Sequence, residues 1–126
     1  MKKVIATNQA PAAIGPYSQA VEAGNMLFVS GQLGLDPATG DFAPGGVRAQ
    51  AEQSFRNLHA ILGEAGYKLS DVVKATVFLA DMNDFAVVNE VYAAQFAGID
   101  CPARSAFAVC KLPKGGLVEI EVIAAR

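Results

Sequence analysis

Two charged side chains in the last quarter of this chain, Arg104 and Glu119, are of types that could do chemistry. Arg104 is the only basic residue between Lys74 and Lys111, and it opens Arg104-Ser-Ala-Phe-Ala-Val-Cys110, which otherwise has the composition of a buried strand. A guanidinium stays charged at physiological pH and is rarely buried alone, so an acid of the protein or an anionic ligand must meet it. Its planar fork suits a carboxylate, which makes a small carboxylate-bearing molecule the first candidate. Glu119 and Glu121 stand two apart in Val118-Glu119-Ile120-Glu121-Val122. In a strand that spacing puts both on one face, about 7 Å apart, with the apolar residues on the other. Glu121 has the position of a solvated charge, whereas Glu119 is open between that and a working carboxylate. Arg104 is likewise open between ligand binding and an internal ion pair with one of these glutamates. Its small neighbours Ala103, Ser105 and Ala106 leave the room that a pocket requires.

The residues the chain lacks narrow the chemistry. One histidine, His59, and two cysteines nine apart, Cys101 and Cys110, cannot supply the clusters that zinc and copper prefer. No glycine-rich phosphate loop is present. Reactivity is left to Arg, Glu, Tyr, Ser, backbone groups and water. A net charge of −2 with no basic stripe argues against nucleic acid as a partner. The N-terminus lacks a signal-peptide core, and no apolar run approaches the roughly 20 residues that span a bilayer. Two cysteines are too few for a disulfide scaffold, so a cytoplasmic protein without a membrane partner is expected.

The chain has 126 residues, 52% of them hydrophobic, which suits a single domain over 1–126. Val4-Ile5-Ala6 forms a short strand. Tyr17–Ala23 and Met26–Gly31 form a hairpin around Gly24-Asn25, a dipeptide suited to a primed turn. Val47, Ala51, Phe55, Leu58 and Leu62 recur at helical spacing up to Gly66. Val72–Leu79 is a strand, and Phe85, Val88, Tyr92 and Phe96 mark a second helix that Asp81-Met-Asn-Asp84 caps. Pro102 leads into the Arg104 strand, and Gly115-Gly116 into the last strand, Leu117–Ala124. The fold class is α+β, a sheet of about six strands with two helices on one face. Several strands are apolar on both sides, so the other face should be buried against further subunits.

Some residues carry little signal alone. Tyr17 and Ser30 pass as ordinary strand residues, Asn89 as a polar helix border, and His59 as a helix-border histidine. Gly31 is more pointed, because glycine inside a strand marks a bulge or a close approach to the backbone.

Taken together, six segments resemble the reactive intermediate deaminase family (RidA, or YjgF). They are Gly15-Pro-Tyr17-Ser-Gln-Ala20, Val29-Ser30-Gly31-Gln32, Asn57-Leu beside His59, Val77–Phe85 with Asn89, Pro102-Ala-Arg104-Ser105, and Leu112-Pro with Glu119-Ile-Glu121. The resemblance implies a chorismate-mutase-like fold with a mixed sheet, and a homotrimer with clefts between subunits. It implies hydrolysis of enamines and imines (2-aminoacrylate, 2-iminopropanoate, 2-iminobutanoate) to 2-oxo acids and ammonia, without cofactor or metal. Arg104 would hold the substrate carboxylate and Glu119 the attacking water. Tyr17, Ser30, Gly31, Asn89 and Ala106 would line the cleft. Members of the family often carry cysteine where this chain has Ala106. That departure motivates a competing reading, a non-catalytic regulatory protein that binds 2-oxo acids. RNA cleavage, also attributed to the family, sits poorly with the acidic balance and the lone histidine.

Overall fold

The computed structural model describes residues 1–126. Its elements are β1 (Lys2–Ile5), β2 (Ala20–Ala23), β3 (Met26–Leu33), α1 (Gly46–Glu64), β4 (Val72–Leu79), α2 (Phe85–Gln95), β5 (Ala103–Ala108) and β6 (Val118–Ala125). They form a six-stranded mixed sheet in the order β1-β2-β3-β6-β4-β5. Only the β4–β5 pair is parallel, because only there does a helix, α2, carry the chain back to the same edge. The β2–β3 turn falls at Gly24-Asn25, where Gly24 takes a φ of 61° that other residues resist.

The last strand lies at the centre of the sheet, hydrogen-bonded to β3 on one side and β4 on the other. Its alternation is strict: Val118, Ile120, Val122 and Ala124 are buried, while Glu119 is half-buried and Glu121 exposed. The buried set meets Ala51, Phe55, Leu58 and Leu62 of α1, and Val88, Val91 and Tyr92 of α2, in one continuous core. Burial of this apolar stripe fixes which way every β6 side chain points.

Two sequence expectations need correction. Tyr17 does not start a strand: β2 begins at Ala20, and Tyr17 stands in the preceding loop with 54% of its surface exposed. Its amide donates to the Gly15 carbonyl, a turn that keeps it off the ladder. β5 is mostly exposed rather than buried. It is the edge strand, and no layer covers the helix-free face of the sheet, where Phe28 and Phe107 are exposed at 43% and 45%. No helix is long and apolar enough to cross a membrane.

Candidate active site

Gly31 lies within a register shift between Val29 and Gln32 in the β3–β6 ladder. The irregularity turns part of the β3 backbone away from β6, and α1 supplies the missing partners. The Ser54 hydroxyl donates to the Gln32 carbonyl at 2.7 Å, and the Asn57 amide donates to the carbonyls of Leu33 and Leu35 at 3.1 and 2.9 Å. Gln50 accepts from the Leu117 amide at 2.9 Å, anchoring the start of β6. These polar side chains are buried on a helix face that would otherwise be apolar, and they satisfy backbone groups that are themselves buried or part-buried. They fix the two strands that frame Glu119.

Glu119 points away from the helices, directly opposite Leu33 and beside Gly31. A Cβ on residue 31 would stand 2.8 Å from the Glu119 carboxyl carbon and from Oε2. Only glycine leaves the carboxylate where it stands, and the sequence expectation of a bulge or close approach is met in both senses. Burial holds the Glu119 carboxyl above its ordinary pKa, and the neighbouring Glu121 charge pushes it the same way. Glu119, Gly31, Ser30 and Tyr17 all line one cavity of about 680 Å³. The Ser30 hydroxyl donates its proton to the Ser18 carbonyl at 2.6 Å, leaving the oxygen free to accept.

Arg104 is elsewhere. It pairs in register with Ala75, a core residue of β4, so its side chain leaves the sheet on the helix side. Its Nη1 donates to Asn89 Oδ1 at 2.7 Å, and its guanidinium carbon sits 4.6 Å from the Tyr92 ring centroid and 5.5 Å from that of Phe85. The ion pairs of the chain are Arg48–Glu90 and Arg126–Glu22, so the internal pairing of Arg104 with Glu119 or Glu121 does not form. Ala106 follows on the same side, half-buried against the core. His59 is an exposed helix residue bonded to Gln95 at 2.8 Å.

The predicted residues thus fall into two sets on opposite faces of one sheet. Tyr17, Ser30, Gly31 and Glu119 share the cavity, while Arg104, Asn89 and Ala106 cluster at the β5–α2 edge. A molecule the size of an imino acid cannot touch both sets of one chain.

Sequence reasoning missed several contributors. The buried Gln19 amide accepts from the Thr7 amide at 2.7 Å and donates to the carbonyls of Thr7, Ala10 and Pro11, pinning the loop that walls the cavity. Nothing in its local sequence marks that role. Lys114 also lines the cavity, held at a left-handed φ of 58°. Its Pro113-Lys114-Gly115-Gly116 setting was the available signal.

The chain matches the family described as Endoribonuclease L-PSP over residues 7–126. It is 55% identical over 124 residues to 2-iminobutanoate/2-iminopropanoate deaminase of Mus musculus, spanning 98% of this chain and 91% of the mouse protein. The crystal structure of RidA from the Antarctic bacterium Psychrobacter superposes with a TM-score of 0.94 at 52% identity, covering 98% of this chain and 99% of that one. E. coli TdcF with bound serine superposes with a TM-score of 0.94 at 47% identity, covering 98% of each chain.

Proposed function

This chain belongs to the Endoribonuclease L-PSP family, which includes the RidA proteins, and from that premise we propose that it is a 2-imino acid deaminase. Its substrates are reactive enamines and imines such as 2-aminoacrylate, 2-iminopropanoate and 2-iminobutanoate, which it converts to 2-oxo acids and ammonia. One observation carries the reading: Arg104 is fixed by an amide and two rings, with no carboxylate of its own chain to neutralise it. That is a fork kept free for an acid from outside.

A 2-imino acid is already electrophilic, so the protein need only bind it, orient it and move protons. Arg104 takes the carboxylate through paired N–H donors. Glu119 accepts a proton as water adds to the C=N carbon and passes it to the nitrogen. It then takes the hydroxyl proton of the resulting carbinolamine and passes that to the nitrogen too, so that the C=O forms as the C–N bond breaks and ammonia leaves. The raised pKa of Glu119 makes it a better proton acceptor than an ordinary carboxylate, and general acid–base work of this kind contributes roughly 10²–10⁴-fold in rate. Tyr17, Ser30 and Asn89 line the substrate, with the Gly31 and Ala106 backbones close by.

Because the two sets of residues lie on opposite sheet faces, the working site is a cleft between subunits. One chain contributes Arg104, Asn89 and Ala106, and its neighbour contributes Tyr17, Ser30, Gly31 and Glu119. A homotrimer gives three such clefts and covers the exposed Phe28 and Phe107. The protein works in the cytoplasm, where pyridoxal-phosphate dehydratases release these intermediates. The cavity has a single cation, Lys114, which is poor equipment for gripping a polyphosphate backbone despite the family's description.

The test is a coupled assay in which threonine dehydratase generates 2-iminobutanoate and 2-oxobutanoate release is followed. The expected result is acceleration that depends on the protein and disappears in Arg104→Ala. Saturable 2-oxobutanoate binding without any acceleration would identify a metabolite-binding regulator instead.

A further inference from the structure

A guanidinium can be held in place in two ways. A carboxylate holds it strongly but cancels its charge and occupies the edge that a substrate carboxylate needs. A neutral aromatic face holds it through the ring quadrupole and leaves both charge and N–H edge available. Arg104 has the second arrangement. Tyr92 lies 4.6 Å from its guanidinium carbon and Phe85 5.5 Å, at the first and third turns of α2. Asn89 lies one turn before Tyr92 and one turn after Phe85, and it accepts from only one nitrogen of the fork.

Tyr92 is an odd choice if packing alone decided it. The residue is 5% exposed, in T-shaped contact with Phe55 and tilted against Phe96, yet its hydroxyl has no hydrogen-bond partner. Buried hydroxyls almost always find one. Burial also keeps the phenol protonated, since it raises the Tyr92 pKa against the opposing pull of Arg104. The ring therefore stays neutral beneath the guanidinium.

We infer that Phe85 and Tyr92 are positioning residues for the substrate-binding arginine, a bracket of two ring faces on α2 that aims the Arg104 fork while leaving it electrically unspent. The inference rests on reading Arg104 as the carboxylate anchor, and it adds that the anchor's aim comes from ring electrostatics rather than from an acid.

The experiment replaces Tyr92 with phenylalanine and then with mono-, di- and trifluorophenylalanine. This series keeps the ring's shape while draining its quadrupole. Tyr92→Phe keeps the ring face and supplies the KM for 2-iminobutanoate against which the series is read. It should melt no lower than the parent, because only a hydroxyl without a partner in the chain is lost. Along the fluorinated series KM should climb stepwise, by about twofold to tenfold in total, with kcat nearly constant. A flat series in an active, folded enzyme overturns the bracket and leaves the deaminase reading standing.

A second readout needs no turnover. The Arg104 Nε–H proton should resonate upfield under the ring currents of the parent, and return toward the free-arginine position in Tyr92→Leu. Phe85→Leu, at the half-buried start of α2, should give a smaller shift in the same direction and serves if Tyr92→Leu does not fold. An Arg104 resonance at the free position in the parent overturns the bracket whatever the assay shows. Absence of deamination with an upfield Arg104 resonance overturns the functional reading alone.

Discussion

Gly31 and Glu119 face each other across the β3–β6 ladder so closely that a methyl group on residue 31 would lie 2.8 Å from the Glu119 carboxylate. The crowded atoms belong to the far end of a flexible side chain, so Gly31→Ala is relieved by swinging the carboxylate aside. The fold should survive with a melting temperature within a few degrees of the parent. Activity should not, because about an ångström of displacement can cost on the order of 10²-fold. Thermal melts and kcat measured together separate the two effects, and equal losses in both would contradict this account.

The pH dependence of stability follows from the raised Glu119 pKa. A carboxyl whose folded-state pKa is raised holds its proton more tightly folded than unfolded. Its contribution is therefore fully present below the unfolded value of about 4.5 and is lost as pH rises through the folded value. Glu119→Gln should thus be at least as stable as the parent at neutral pH, with the difference closing as pH falls toward 4.5, while its activity falls roughly 10²–10⁴-fold. Denaturant melts across that range check the sign.

Glu121 is exposed and lies outside the cavity, but its charge is the second cause of the Glu119 shift after burial. Glu121→Gln removes that charge and so favours the ionised form of Glu119. The acid limb of the kcat/KM profile should move to lower pH, with the plateau little changed. A limb that stays put would assign it to another group.

Arg104→Lys keeps the charge and loses the fork, the ring stacking and the fixed direction of Asn89. Lysine is no substitute at such a site. KM should rise by about tenfold or more. Recovery of near-normal KM by lysine would show that charge alone suffices.

Mixing two inactive variants tests the shared cleft. Arg104→Ala chains keep Glu119, and Glu119→Gln chains keep Arg104. After mild unfolding and joint refolding, random assembly pairs one intact half with the other in roughly a quarter of clefts, and activity should return to about that level. Each variant refolded alone should stay inactive. No recovery from the mixture would place both residues' work within one chain.

Much of this fold was legible in the residues. The stripe Ala51, Phe55, Leu58 and Leu62 gave α1, Gly24-Asn25 gave the hairpin, and Gly31 marked a place where a side chain crowds the backbone. Local patterns record such features because each depends on neighbours in the chain. The relation between Arg104 and Glu119 does not. Alternation places each on a face of its own strand, but only the pairing of β6 with β4, and of β4 with β5, reveals that the faces are opposite. The edge position of β5 was hidden for the same reason, since this edge strand has the apolar composition of an interior one. Tyr92 was legible as core and is core; its second duty beneath Arg104 lies in the third dimension alone.

The placement of Arg104 and Glu119 on opposite sides of one sheet has a quantitative corollary for the living cell. On the shared-cleft proposal, a solitary copy freshly released from the ribosome holds Arg104 and Glu119 where one small substrate cannot reach both. Specific activity should consequently climb with dose at low abundance and level off only once copies meet often enough, making detoxifying capacity a collective property of the population.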